Sequence, residues 1–181
     1  DFAFYPGGNQ AFIAGISSGN IFRTFNGGTT WEPIFENEDS SAIGVVELDP
    51  NDTNTIWVGT GENNAQRSVA AGSGVYKSVD GGKSWSNVGL EDSGHISQIW
   101  INPNDSAEVI VASQGPLWSD GGDRGLFRTS DGGKTWELIL EIDEHTGVNE
   151  FVVDPRDPDV IVASTYQRRR HVWVLINGGP G

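Results

Sequence analysis

The chain has 181 residues, of which 11 are Lys or Arg and 25 are Asp or Glu, so its formal net charge is −14. This balance disfavours a nucleic-acid partner, because affinity for nucleic acid depends on Lys and Arg side chains that meet phosphates. The chain contains no cysteine, which excludes a disulfide framework, a thiol nucleophile and a thiolate metal site. No apolar run approaches the ~20 residues that a membrane-spanning helix needs, so no membrane span is expected in this segment.

The first elements that the sequence predicts are strands. Residues 1–6 are predicted to form an inner strand, and the alternating residues Ile21–Thr24 predict another strand. Asn26 and two glycines follow, and Asx before Gly strongly favours a hairpin turn. Trp31 then begins the returning strand. We expect the Asn26 amide oxygen to accept hydrogen bonds from turn N–H groups and the Trp31 ring to cover the hairpin.

This strand-turn-strand motif occurs three times, in the pattern Ser/Thr-x-Asp/Asn-Gly-Gly-x-Thr/Ser-Trp. The copies occupy residues 24–31, 78–85 and 129–136, with their tryptophans 54 and 51 residues apart. A fixed period of this size is typical of repeat folds. We predict structural rather than catalytic roles for the Asx and Trp residues of the copies, which are Asn26, Trp31, Asp80, Trp85, Asp131 and Trp136.

A second pattern recurs between these motifs and consists of an apolar run, an Asx-Pro turn and another apolar run. The turns occupy residues 48–52, 101–105 and 153–157. They predict two further strands in each period, so that one period holds four antiparallel strands. Four strands in about 40–50 residues are typical of a β-propeller blade. The predicted fold is therefore all-β, a β-propeller fragment of about three and a half four-stranded blades with the motif at the outer hairpins.

The blade boundaries follow from the same period. We predict a partial blade over residues 1–37, complete blades over 43–90 and 96–140, and a partial blade over 147–181, all within one propeller domain spanning 1–181. Propellers usually close a ring of about 4–8 blades. We therefore expect this chain to be part of a longer propeller, with the remaining blades as its partners. The alternative is an oligomer that completes the ring from several chains.

Three connections that follow the second strand of a blade are longer than a turn requires. They are residues 61–74, 114–124 and 166–173, whereas residues 17–20 make a minimal connection in the first blade. Long loops often carry function. Trp can stack on sugars or apolar groups and Arg can pair with anions, so we expect a protein, peptide or glycan ligand there. The candidate ligand-binding residues are Asn63, Asn64, Arg67, Trp118, Arg124, Arg168, Arg170 and Trp173.

The alternative for these loops is structural, with Arg and Trp holding them rigid against their own carboxylates. Those same carboxylates, Glu62, Asp120 and Asp123, are the catalytic candidates, and the blade-to-blade connections add Glu91, Asp92, Asp143 and Glu144. Glycoside hydrolysis needs two carboxylates about 5–5.5 Å apart for retention or about 6.5–9.5 Å apart for inversion. The sequence alone places no two of them across a sugar. Three histidines supply no zinc ligand set, so neither a metal nor a cofactor is predicted.

The three motifs resemble the Asp-box repeats, also called bacterial neuraminidase repeats, of sialidases, sortilin-type receptors, xyloglucan-active endoglucanases and photosystem II assembly factors. The loop segments 57–64, 114–118 and 166–173 look most similar to exported bacterial sortilin-like propellers that are often labelled glycosyl hydrolase. This resemblance implies a propeller of about 7–10 blades in the bacterial periplasm, on the cell surface or outside the cell.

The functional interpretation depends on whether the catalytic residues of the enzymes with Asp-boxes have counterparts in this sequence. The arginine triad of sialidases and the catalytic aspartate motifs of the endoglucanases are not found in these blades. We therefore favour a non-catalytic binding or scaffold module of a larger exported protein, so that an enzyme is the less favoured interpretation. A glycoside hydrolase of the Asp-box type is the alternative, and a structural subunit of a larger assembly is a third interpretation.

Overall fold

A computed structural model describes residues 1–64 and 69–178, which form four antiparallel sheets and one short 3-10 helix at Glu91–Ser93. The first sheet contains β1 (Phe2–Phe4), β2 (Phe12–Ile16), β3 (Asn20–Thr24) and β4 (Glu32–Pro33). The second contains β5 (Ile43–Leu48), β6 (Ile56–Thr60), β7 (Val75–Ser78) and β8 (Ser86–Asn87). The third contains β9 (Ile96–Ile101), β10 (Val109–Ser113), β11 (Gly125–Thr129) and β12 (Glu137–Leu140). The fourth contains β13 (Thr146–Asp154), β14 (Asp157–His171) and β15 (Val174–Gly178).

The strands of each sheet pair in sequence order, as in the blades of a propeller. Each pair of neighbouring sheets encloses its own apolar cluster. Ile56 and Val58 pack towards the first sheet, whereas Trp57 between them packs towards the third. Ile110 and Phe151 belong to the cluster between the third and fourth sheets. Strands with two apolar faces are stable only between two covering layers, and the stacked sheets provide these layers. The predicted all-β propeller fragment is confirmed. Within the described residues, no helix is long and apolar enough to cross a membrane.

The Asp-box turns are held by the side chain of the Asx residue. In the second box, Asp80 Oδ1 accepts hydrogen bonds from the backbone N of Lys83 at 3.0 Å and of Ser84 at 2.9 Å, and Ser84 Oγ donates to Oδ2 at 2.7 Å. These bonds, first that of the Ser84 hydroxyl, lower the pKa of Asp80 to about 2. Gly81 and Gly82 have φ values of 73° and 83°, which side chains with a Cβ rarely adopt. The Asp80 carboxylate therefore accepts these hydrogen bonds from its own turn.

The box tryptophans join neighbouring sheets. Trp85 Nε1 donates to the carbonyl oxygen of Ile34 in the preceding sheet at 2.6 Å. Trp136 Nε1 donates in the same way to Val88 at 2.7 Å. Each acceptor lies three residues after the tryptophan of the preceding box. The indole therefore links two blades as well as covering its own hairpin.

A cationic side chain joins the same sheets in the opposite direction. Arg23 Nη1 donates to the carbonyl oxygen of Gly81 in the next box at 2.5 Å. Lys77 Nζ donates to the equivalent oxygen of Gly132 at 3.1 Å. Each cation lies three residues before the Asx of its own box. Two reciprocal contacts therefore close each of the first two blade boundaries.

The fourth sheet keeps the register of the second and third sheets, although its sequence pattern is shifted. It pairs Val153 with Ile161, eight residues later, as Leu48 pairs with Ile56 and Ile101 with Val109. In the sequence, however, the second apolar run of this blade begins at Val160, only seven residues after Val153. Because side chains alternate along a strand, a shift by one residue turns every side chain to the other face. Ile161 and Ala163 consequently face the third sheet, while Val162 is exposed.

Residues 166–173 were predicted to form a loop, and this prediction is wrong. The structure continues β14 through His171 and returns the chain in β15, with Gln167 opposite Gly178 and His171 opposite Val174. Tyr, Val and Trp favour extended backbone, and the paired strands satisfy their N–H and C=O groups in a two-stranded ribbon. We call this ribbon, residues 167–178, the arm.

Candidate functional site

The long connections lie at the end of the sheets opposite the Asp-boxes. Antiparallel strands alternate in direction, so the connections after the second strand of a blade and the boxes after the third strand fall at opposite ends. Loop 61–74, described at 61–64 and 69–74, and loop 114–124 share this end with the arm. We call this end the long-loop face. The predicted residue Arg67 lies outside the described residues.

The arm is attached to loop 114–124. The backbone N of Arg170 donates to the carbonyl oxygen of Leu117 at 2.8 Å. The guanidinium of Arg169 forms an ion pair with Asp120, and that of Arg170 lies 5.7 Å from the centroid of the Trp118 ring. Backbone, ionic and cation–π contacts therefore place the arm beside this loop.

A buried glutamine joins side chains of three sheets. Gln114 Nε2 donates to Asn63 Oδ1 at 2.5 Å and to Asn149 Oδ1 at 2.6 Å. Its Oε1 accepts a hydrogen bond from Arg168 Nη1 at 3.0 Å. Arg168 also donates to the carbonyl oxygen of Asn64, and burial lowers the pKa of its guanidinium. Three predicted ligand-binding residues, Asn63, Asn64 and Arg168, are thus members of an internal network.

Arg124 organises loop 114–124 from inside. It is buried, and its guanidinium donates to the carbonyl oxygens of Gly121 at 2.9 Å, Gln114 at 2.5 Å and Ser119 at 2.8 Å, and also to that of Pro116. Burial lowers its pKa. The loop is therefore wrapped around the guanidinium, and the structure gives Arg124 a position inside the loop rather than one on its surface.

Two of the carboxylates that were predicted as catalytic candidates accept hydrogen bonds from the backbone of the loops. Glu62 is buried, and its oxygens accept hydrogen bonds from the backbone N of Ala70 at 2.7 Å and from Asn64 Nδ2 at 3.3 Å. Asp123 Oδ2 accepts a hydrogen bond from the backbone N of Asp92 at 3.0 Å. Glu62 thus closes its own loop, and Asp123 joins loop 114–124 to the blade-to-blade connection at Asp92.

His95 lies in the same buried region. Burial, and next the positive charge of Arg168, lower its pKa to about 4, so the imidazole is neutral at neutral pH. Its Nδ1 atom is buried and has no hydrogen-bond partner in the described part of the chain. His95 is therefore a neutral side chain enclosed in the interior.

A third carboxylate candidate, Asp120, is exposed and lies beside a carboxylate from the next connection. Asp120 Oδ1 lies 3.1 Å from His145 Nδ1, and Glu144 Oε1 lies 3.4 Å from His145 Nε2. One ligand atom from each of Asp120, Glu144 and His145 lies within 4.8 Å of the others. Arg169 forms an ion pair with Asp120, and the two carboxylates lie next to different nitrogens of the His145 ring.

An aromatic ring of the same loop is largely exposed. Trp118 is 63% exposed and precedes Asp120 by two residues. At the tip of the arm, Val172 is 82% and Trp173 88% exposed. We define the Trp118 cluster as Trp118, Asp120, Glu144, His145, Arg169 and Arg170. It combines a sugar-sized apolar ring with charged groups that can hydrogen-bond to hydroxyls.

Sequence reasoning did not find the partners that complete these arrangements. It did not name Gln114, Asn149 or Arg169 as site residues. The available signal was a polar side chain at the end of an apolar strand, as at Gln114, or within an inner strand, as at Asn149. Buried polar groups need partners, so such positions indicate a network even when the partner is unknown.

Fold and boxes together define the class of this protein as an Asp-box β-propeller. The family described as sortilin, neurotensin receptor 3 matches residues 73–175, which is more than half of the chain. The chain belongs to this Sortilin-Vps10 family, and the predicted resemblance to sortilin-like propellers is confirmed.

Other similar proteins include enzymes. A xyloglucanase from a Paenibacillus species is 26% identical over 189 residues, which cover 88% of this chain and 17% of that protein. An ancestral GH74 enzyme superposes with a TM-score of 0.71 at 18% identity and covers 92% of this chain and 22% of its own. The GH74 xyloglucanase of Xanthomonas campestris gives a TM-score of 0.54 at 17% identity, with 92% and 28% covered.

A third structural neighbour is not described as an enzyme. YCF48 bound to D1 peptide gives a TM-score of 0.51 at 20% identity, with 80% of this chain and 40% of that one covered. At these identities the structural likenesses establish the fold. The chain spans less than a fifth of the length of the xyloglucanase that it matches.

Proposed function

We propose that this chain forms part of the glycan-binding propeller of an exported glycoside hydrolase. The observation that carries the proposal is the Trp118 cluster, in which loop 114–124 presents both the exposed Trp118 indole and Asp120, whose carboxylate lies close to that of Glu144. Similarity to the Paenibacillus xyloglucanase over 88% of the chain supports this alternative more than the non-catalytic scaffold favoured by the sequence analysis. A polysaccharide substrate lies outside the cell, which agrees with a periplasmic, surface or extracellular location.

The cluster suits recognition of a sugar chain. The apolar face of a pyranose stacks on an indole, and ring hydroxyls hydrogen-bond to carboxylates and guanidinium groups. Gln114 and Arg124 hold loop 114–124 in place, so Trp118 is presented by a pre-organised loop. A rigid aromatic surface binds with little loss of conformational entropy.

We assign binding rather than bond cleavage to the carboxylates of this chain. The Asp120 and Glu144 oxygens lie within 4.8 Å, too close for the water that an inverting pair positions across about 6.5–9.5 Å. The distance is nearer to the about 5–5.5 Å of a retaining pair, but the His145 ring lies against both carboxylates and Arg169 forms an ion pair with Asp120. In this proposal the reacting carboxylates belong to other parts of the enzyme.

The test uses the full-length protein with xyloglucan and other β-glucans, and measures both release of reducing ends and affinity in gels containing the polysaccharide. Trp118→Ala is expected to weaken binding about threefold to tenfold, because the stacking surface is lost. Phe25→Ala is the matched control. Phe25 is 60% exposed and has Arg23 at 5.1 Å from its ring, but it lies in the first Asp-box at the opposite end.

Two results would reject the proposal. One is the absence of reducing-end release from every β-glucan by the folded full-length protein. The other is equal loss of polysaccharide affinity in the Trp118→Ala and Phe25→Ala variants.

A second candidate function is peptide or protein binding at the tip of the arm. The favouring observation is the exposed apolar sequence Val172-Trp173-Val174, which a glycan does not require. The peptide-bound YCF48 shows that a protein of related fold takes such a ligand. Trp173→Ser separates the candidates, because it should leave polysaccharide affinity unchanged and reduce retention of extended apolar peptides on an array. Unchanged retention would exclude the arm tip as a peptide site.

A further inference from the structure

Three consecutive arginines of β14 have different surroundings. Arg168 is buried, and its guanidinium is bonded inside the molecule. Arg169 forms an ion pair with Asp120. The Arg170 guanidinium lies over the Trp118 ring at 5.7 Å from its centroid. In the described part of the chain it meets no carboxylate, so Arg170 differs from its two neighbours in having only a ring as its partner.

The backbone fixes the position of Arg170. Its N–H donates to the carbonyl oxygen of Leu117, the residue before Trp118, at 2.8 Å. Its Nε atom is buried and has no hydrogen-bond partner among the described residues. A guanidinium has five N–H donors in one plane, and attraction to an indole ring supplies none of them with an acceptor oxygen. Among these residues the cation is therefore held beside an exposed ring without a protein acceptor.

The nearby carboxylates of loop 114–124 have other partners. Asp120 forms its ion pair with Arg169, which offsets its charge. Asp123 accepts a hydrogen bond from the backbone N of Asp92 at 3.0 Å. Exposed charges are screened beyond about 8 Å at physiological ionic strength, so the net charge of −14 on the whole chain acts only weakly here. The edge of the Trp118 ring at Arg170 is therefore cationic on an acidic protein.

A neutral sugar does not require this cation. Ring hydroxyls hydrogen-bond to amides, hydroxyls and carboxylates as well as to guanidinium groups, whereas a carboxylate matches a guanidinium both in charge and in its paired N–H···O geometry. A uronate, which is a pyranose whose C6 is a carboxylate, combines an apolar ring face with an anion at its edge. The Trp118 ring fits the first of these features and the Arg170 guanidinium fits the second.

We propose that the Trp118 cluster selects an acidic glycan, in which a uronate stacks on Trp118 and its carboxylate pairs with Arg170. This inference rests on the proposed function and names the substrate class of the same site. Trp118 supplies affinity for sugar rings in general, and Arg170 is the specificity-determining residue that favours rings bearing a carboxylate.

The test compares two polymers with the same backbone, a β-glucan and that β-glucan oxidised at C6 to uronate. The affinity of the full-length protein is measured in gels that contain each polymer, at low and at high salt. The oxidised polymer should bind about threefold to tenfold more tightly at low salt, and the preference should shrink at high salt because exposed charges are screened.

The outcomes separate this inference from the proposed function. Equal affinity for both polymers, or tighter binding of the neutral one, would overturn the inference and leave the proposed function intact. Binding of neither polymer would also overturn it, and the absence of reducing-end release from both would in addition reject the proposed function.

Variants of two arginines assign the preference to one side chain. Arg170→Gln should make the two polymers bind alike, and Arg170→Lys, which keeps the charge but not the planar fork, should retain part of the preference. Arg156→Gln is the matched control and should keep the full preference. Arg156 is exposed and pairs with Asp154 in a turn at the opposite end of the sheets.

Two results from the variants would contradict the assignment. A full preference in Arg170→Gln would mean that the carboxylate is recognised elsewhere. An equal loss of affinity for both polymers in Arg170→Gln would mean that this arginine only holds Trp118 in place.

Discussion

Trp136 donates its indole N–H to the carbonyl oxygen of Val88 at 2.7 Å, across 48 residues of sequence. This bond joins the Asp-box of the third blade to the outer strand of the second. It makes the box tryptophan a contact between repeats, and the stability of the propeller should therefore respond to it more strongly than a surface hairpin would suggest.

Removing only the indole N–H measures this contact. Trp136→Phe keeps an aromatic ring beside Trp57 but leaves the Val88 carbonyl without its donor, so the free energy of unfolding should fall by about 1–2 kcal/mol. Trp118→Phe is the matched control, because that indole is exposed, and should change stability by less than about 0.5 kcal/mol. Urea denaturation of both variants decides the point, and equal effects would mean that the bond contributes nothing.

The second box predicts a loss of stability in acid. The hydrogen bonds from Ser84 and Lys83 lower the pKa of Asp80 from 3.8 to about 2. A lowered pKa contributes stability that is present above about pH 4 and is lost as the pH falls through 2. Asp80→Asn, which copies the residue of the first box, should flatten this part of the profile of denaturation midpoint against pH. A variant profile as steep as that of the wild type would contradict the assignment.

Glu47 predicts the opposite dependence at higher pH. Burial raises its pKa from 4.5 to about 7, so ionising this carboxyl in the folded state is unfavourable. The chain should lose stability as the pH rises from about 4.5 to about 7, and Glu47→Gln should remove that loss and be more stable by about 2–3 kcal/mol at pH 8. Urea denaturation at pH 5 and pH 8 tests this, and parallel behaviour of variant and wild type would argue against it.

The Gln114 network predicts a further stability effect. Gln114→Leu keeps the approximate volume but leaves the Asn63 and Asn149 side chains and the Arg168 guanidinium without their shared partner. Unfolding free energy should fall by about 2–4 kcal/mol. Gln10→Leu, on an exposed position, is the control and should be close to neutral. If both variants unfold alike, the network is not needed to hold the three loops.

Much of the fold was predictable because its determinants are local. Asx, two glycines and a tryptophan within eight residues specify a hairpin through turn geometry and short hydrogen bonds, as at residues 78–85. Alternation of apolar residues then predicts the flanking strands. The register of β14 was not predictable in this way, because its apolar run begins one residue early in the sequence while the pairing keeps the spacing of the other sheets.

The candidate site was predicted only as a region. The sequence indicated that the long connections hold the unusual Arg, Trp and carboxylate residues, and Trp118 and Asp120 do lie exposed at that face. It did not indicate that Arg124 and Arg168 are buried or that Glu144 meets Asp120 through His145. Those outcomes depend on contacts between loops of different blades, which carry no local pattern.

The sequence by itself determined the repeat, the four-stranded blade and the turn chemistry of the boxes, because each depends on residues within one hairpin. Only the tertiary structure decided which polar side chains become internal partners and which remain at the surface. Residues 54 positions apart, such as Gln114 and Arg168, meet because neighbouring blades stack face to face. This stacking determines both how deeply a polar side chain is buried and which hydrogen-bond partner it meets, so neither can be predicted from the residue types alone.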